Sequence, residues 1–145
     1  MIIIALDIGD KRIGIAKSYP IGDMVLPLET LHRKSLAYDL DYLVKLFKTH
    51  GAELIVCGLP VNFDGTESEQ TKKTLYFINK LKEKTDIPID TADERFTTLD
   101  ATAVLLEADV SRKDRKQYVD KIAASYILEE YLKRKKAKNN WLKLI

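Results

Sequence analysis

Three carboxylates far apart in the chain are the residues best suited to chemistry: Asp7, one of the adjacent pair Asp93 and Glu94, and Asp120. Asp7 ends an almost unbroken apolar run, Ile2-Ile3-Ile4-Ala5-Leu6. A carboxylate at the end of a buried strand costs several kcal/mol unless a hydrogen bond, an ion pair or a cation compensates it. Donor sets made only of oxygen suit Mg²⁺ or Mn²⁺, and two such ions roughly 3.5–4 Å apart can bind both the attacking and the leaving oxygen of a phosphodiester. Zinc lacks comparable support, because the chain has only His32, His50 and Cys57, with no paired ligand spacing. Plainer readings exist for each acid: a turn residue for Asp7, and for Asp120 a helix-start acid favoured by the macrodipole. With 22 acidic residues in the chain, spacing alone singles out no one triple.

The elements that must position these acids follow from hydrophobic period. Residues 2–8 are apolar on both parities, so both faces of this strand are covered. Gly9 and Gly14 flank Asp10-Lys11-Arg12, a turn where absent side chains let backbone or a phosphate come close. Residues 12–18 read as the antiparallel partner, 19–23 as turn chemistry and 25–31 as a third strand, forming a meander. From Ser35 the period changes: Leu36, Leu40, Leu43, Val44 and Phe47 line one face of a helix that Gly51 can end. Residues 53–59 are again a short apolar run, expected to return parallel to the first strand by a right-handed crossover. The glycine-bracketed loop 58–65 reads either as a phosphate cradle or as a plain strand-to-helix connection. Thr66 with Glu69 fits a capping box for a helix to about Lys84, burying Leu75, Ile78 and Leu81.

A fifth strand at 88–92 runs into Asp93 and Glu94, at the sheet end where open α/β folds bind ligands. Thr97 with Asp100 can cap a helix carrying Leu99, Val104 and Leu105. Residues 108–117 have no apolar period and read as an exposed loop or a helix's first turn. The last helix buries Val119, Ile122, Ala123, Tyr126 and Ile127. Small residues at Ala123 and Ala124 let it lie close to the sheet, which carries Asp120 toward the end of the first strand.

At 145 residues the chain is expected to be one domain, burying roughly two-thirds of the surface its unfolded form exposes. A single cysteine inside an apolar run fits a reducing compartment, and no apolar run approaches a membrane span, so a soluble, cytoplasmic protein is expected. The net charge is only +2, but it is unevenly spread. Residues 111–145 hold 11 basic and 4 acidic side chains, net +7, leaving 13 basic and 18 acidic on the first 110, net −5. Acids at the site and bases at the rim suit a polyanionic substrate cut with metal help.

Four ordered motifs make the chain recognisable: Asp7-Ile8-Gly9-Asp10-Lys11-Arg12-Ile13-Gly14; Gly58-Leu59-Pro60 with Asp64-Gly65; Asp93-Glu94-Arg95-Phe96-Thr97-Thr98; and Asp120-Lys121-Ile122-Ala123-Ala124 with Tyr131-Leu132. Together they resemble the YqgF/RuvX family of bacterial pre-16S rRNA nucleases, also described as Holliday junction resolvases. The resemblance implies an α/β, ribonuclease H-like fold: a five-stranded mixed sheet of order 3-2-1-4-5 flanked by helices. It spans a nuclease domain at 1–132, followed by a basic tail at 133–145. It further implies Mg²⁺- or Mn²⁺-dependent phosphodiester hydrolysis on structured nucleic acid, an rRNA precursor or branched DNA, with Asp7, Glu94 and Asp120 as metal-binding and catalytic acids. Lys11, Arg12, Arg95, Arg112, Lys113, Arg115 and Lys116 are then the candidate substrate contacts. Many members of the wider superfamily place an acid at the end of the fourth strand, where residues 53–59 have none. Two other readings are a non-catalytic nucleic-acid-binding module of the same fold and, more distantly, an actin-like ATPase, which needs two such domains. The sequence leaves oligomeric state open between a monomer and a weak dimer.

Overall fold

The computed structural model describes residues 1–21, 24–62, 64–93 and 112–143, the side chains of 112–118 and 139–143 excepted. Five strands, β1 (Ile3–Ile8), β2 (Arg12–Tyr19), β3 (Met24–His32), β4 (Leu54–Leu59) and β5 (Ile89–Asp93), form one sheet in the order β3-β2-β1-β4-β5. β1 pairs antiparallel with β2 and parallel with β4, and β4 pairs parallel with β5. Pro27, which cannot donate to a ladder, lies on edge strand β3, where the β2–β3 register shifts between Ile15 and Ala16.

Helices cover both faces, which is why β1 is apolar on both parities. Ile4, Leu6 and Ile8 point into a core shared with α1 (Leu36–His50) and α2 (Glu69–Lys82). Ile3 and Ala5 face a second core with Ala124, Ile127 and Leu128 of α3 (Arg112–Lys143). Helix α1 starts where Ser35 Oγ accepts the Tyr38 amide at 3.1 Å and ends at Gly51, whose φ of 65° is the left-handed cap only glycine adopts without strain.

Helix α2 begins two residues later than Thr66-Glu69 suggested. Thr66 is already taken: its hydroxyl donates to Asp64 Oδ1 at 2.7 Å and its amide to the same oxygen at 3.0 Å. The capping box instead joins Ser68 and Thr71, each hydroxyl accepting the other's amide, at 3.2 and 2.9 Å. The buried face accordingly carries Thr71, Thr74, Phe77, Ile78 and Leu81, with Leu75 only half-buried.

The basic stretch at 112–117 is helical, forming the first turns of α3, and the same helix runs on through 133–143. The expected helix after Thr97 lies outside the described residues. No helix among the described residues is long and apolar enough to cross a membrane.

Candidate active site

Asp7 lies near the end of β1 on the parity of Ile3 and Ala5, the face covered by α3. Directly opposite it in the β1–β2 ladder stands Gly14. A methyl group on Gly14 would lie 1.8 Å from the carbonyl oxygen of Asp120, an impossible approach, so the α3 backbone rests directly on that glycine. Gly14, Ala16 and Ala5 of the sheet meet Ala123 and Ala124 of the helix, all fully buried, and this run of small residues sets the close approach. Asp120 is thereby held beside the residue that faces Asp7.

Arg12, two residues before Gly14 and on the same face, donates from Nε to Asp120 Oδ2 at 2.7 Å. The pair is partly buried, with side-chain exposures of 31% and 20%, and so is screened less than a surface ion pair. Lys11 is exposed at the tip of the turn, which Gly9 closes by donating its amide to the Arg12 carbonyl at 2.9 Å.

Parity decides the face of Asp93, the last residue of the fifth strand. Asp90 accepts a hydrogen bond from the Tyr131 hydroxyl of α3 at 2.8 Å, and Ala92 belongs to the α3-side core. Alternation therefore places Asp93 with Thr91 on the side away from Asp7. Glu94 and Arg95 lie outside the described residues, as do the side chains of Arg112, Lys113, Arg115 and Lys116. Among the described residues no three metal-capable side chains converge. Asp7 and Asp120 do share one face, and both offer the hard oxygen donors that fit Mg²⁺ or Mn²⁺.

One supporting residue escaped sequence reasoning. Arg33, just after β3, donates its amide to the Lys11 carbonyl and its Nη1 to the Gly9 carbonyl, both at 2.9 Å. Its Nε donates at 2.9 Å to Asp39, only 1% exposed, and its guanidinium lies 4.8 Å from the Phe77 ring centroid. Arg33 thus holds both ends of the turn that follows Asp7. The available sign was Asp39 itself, an acid three residues after Leu36 on an otherwise apolar helix face.

Comparison with known proteins agrees with this architecture. The family model described as RuvX, Holliday junction resolvase, matches residues 1–134. A relative from Clostridium novyi is 46% identical over 91% of this chain and 98% of its own length, and one from Clostridium botulinum is 48% identical over 91% and 96%. The assigned name of both is pre-16S rRNA nuclease. Among solved structures, RuvC of T. thermophilus in complex with Holliday junction substrate superposes with a TM-score of 0.57 at 10% identity, covering 92% of this chain and 95% of its own. The fowlpox virus resolvase with Holliday junction DNA gives 0.58 at 13% identity, over 92% and 98%. At such identities these two show a shared fold, and the family match with its close relatives shows more: the chain belongs to the RuvX family of nucleases, built on a ribonuclease H-like fold.

Proposed function

We propose that this chain is a Mg²⁺- or Mn²⁺-dependent endonuclease that trims the 5′ end of the small-subunit rRNA precursor in the cytoplasm, with Asp7, Glu94 and Asp120 as its metal-binding acids. The observation that carries the reading is the seating of α3 on Gly14, which keeps Asp120 next to the partner of Asp7 across the ladder. Asp93 shares the parity of Thr91, on the face away from Asp7, which supports Glu94 as the acid of that pair. The bound ions would supply an activated water and neutralise charge on the phosphate. The chain's own part is positional. Asp7 and Asp120 offer oxygens from a strand and a helix fixed by a fully buried small-residue contact. Arg12 orients the Asp120 carboxylate by its 2.7 Å hydrogen bond. Lys11 and Arg95, together with Arg112, Lys113, Arg115 and Lys116 at the start of α3, are proposed to meet substrate phosphates, which fixes position without reading bases.

Cleavage of four-way DNA junctions is the second reading, favoured by the family's description and by the two junction-bound neighbours. Labelled rRNA precursor and labelled junction DNA, each incubated with the pure protein with and without Mg²⁺, separate the two. Metal-dependent cutting of the precursor, absent in Asp7→Asn, supports the first. Cutting of junctions alone transfers the site to the second, and equal cutting by Asp7→Asn removes the assignment of the acids.

A further inference from the structure

On the opposite side of the β1–β2 turn from Asp120 lies a cleft of about 440 Å³ that the site described above does not use. Its walls come from three elements: Asp10 of the turn, Arg33 and Leu36 at the start of α1, and Lys72, Lys73, Tyr76 and Phe77 of α2. The volume falls within the range of small-ligand pockets, roughly 300–1,000 Å³. Leu36 and Phe77 make its inner wall apolar, while Tyr76 is 57% exposed at the rim.

Each cation around it is paired with a carboxylate: Arg33 with Asp39, Lys72 with Glu69, Lys73 with Asp10 and, beyond the lining, Lys80 with Glu83 at 4.0 Å. Arg33 is committed to Gly9, Asp39 and Phe77, its charge balanced by the Asp39 carboxylate, so an anion is held only by the lysines whose exposed partners it displaces. Lys72 and Lys73 are held only by exposed pairs, Lys72 with Glu69 at 3.8 Å and Lys73 with Asp10 at 3.6 Å. Such pairs contribute little and exchange readily for a stronger anion. A third lysine, Lys80, lies 5.6 Å from the Tyr76 ring centroid. An exposed aromatic ring among flexible lysines is the arrangement that stacks an unpaired base and holds its flanking phosphates.

We infer that this cleft binds an unpaired nucleotide of the nucleic-acid substrate, with its base stacked on Tyr76 and its phosphates on Lys72 and Lys73. The cleft adjoins Asp10, three residues after Asp7, so a strand bound at Asp7 would have to round the turn tip at Lys11 to enter it. The inference rests on the nuclease reading and adds to it a requirement for single-stranded character next to the cut. An A-form duplex continuing in this direction would present stacked bases that Tyr76 cannot reach.

The test is binding by fluorescence anisotropy of a blunt RNA duplex and of the same duplex with a short single-stranded extension. The proteins are Asp7→Asn, which leaves the RNA uncut, and Asp7→Asn combined with Tyr76→Ala, with Tyr76→Phe, or with Lys72→Ala and Lys73→Ala together. The extension is expected to tighten binding by roughly tenfold in Asp7→Asn. That advantage should survive Tyr76→Phe, disappear with Tyr76→Ala, and weaken and lose salt sensitivity in the double lysine variant. Thermal melting checks that each variant is folded, which exposed positions on α2 favour. An equal advantage with Tyr76→Ala, or no advantage in Asp7→Asn itself, overturns the cleft assignment while leaving the nuclease reading standing. Failure of every protein to bind either RNA, with no cleavage by the unsubstituted chain, overturns both.

Discussion

Arg12 Nε holds Asp120 by Oδ2, so the guanidinium orients the carboxylate proposed as a metal ligand. Arg12→Ala should therefore raise the Mg²⁺ concentration giving half-maximal cleavage, and a metal titration at several substrate concentrations separates this from any change in KM. Removing a ligand acts differently. Asp7→Asn is nearly isosteric, so it should keep the fold and cut cleavage more than about a hundredfold. Strand parity extends this to the fifth strand: Asp93→Asn should retain most activity and Glu94→Gln almost none, and the reverse result exchanges their roles. Two tyrosines set the alkaline behaviour. A hydrogen bond to Glu29, aided by burial, pushes Tyr42 up to about 12, while burial and then the bond to Asp90 do the same for Tyr131. Both folded values exceed the unfolded value of about 10, so the stabilisation is full below roughly pH 10 and lost as pH rises toward 12. Tyr131→Phe should remove one late step from a tyrosinate absorbance titration and flatten the loss of stability across that window.

At the scale of elements, the contact between β2 and α3 is expected to link activity and stability. Gly14→Ala must push the Asp120 backbone away, because the obstacle is main chain and cannot rotate aside. It should cost roughly 1–3 kcal/mol in denaturant unfolding and abolish most cleavage, although Gly14 carries no functional group. The elements differ in how readable they were. β1 and α1 were legible because burial alone decides them: two-sided apolarity for the strand, and a 3.6-residue stripe between a serine cap and a glycine cap for the helix. The start of α2 was not, since Thr66-Glu69 and Ser68-Thr71 are equally good local patterns and only the Asp64 turn, a tertiary arrangement of the loop, decides between them. Asp7 stands out in the sequence as an acid at the end of an apolar run, and the small residues Ala123 and Ala124 pointed to the close approach of α3 that sets Asp120 beside Gly14. Arg33 was not legible, because its role lies in two carbonyls contributed by a turn far away in sequence.

For the whole molecule, the uneven charge predicts a strong salt dependence. Each phosphate neutralised should contribute a log–log slope of roughly −0.7 on single strands or −0.9 on B-form duplex. Neutralising Arg112, Lys113, Arg115 and Lys116 should reduce the magnitude of that slope on every substrate, which filter binding across a salt series measures. The 133–138 cluster behaves differently because of where α3 carries it. At 1.5 Å per residue, that cluster begins roughly 20 Å along the helix axis from Asp120. A rigid rod of this length acts as a ruler. With Asp7 as the proposed point of cleavage, a B-form duplex laid along α3 and rising about 3.4 Å per base pair would reach the far cluster only after roughly six pairs. Substrates trimmed closer than that to the scissile bond should not register the loss of Lys133, Arg134, Lys135, Lys136 and Lys138, whereas longer ones should. The affinity of a length series would then break at the point where nucleic acid first spans from the acids to the end of the rod.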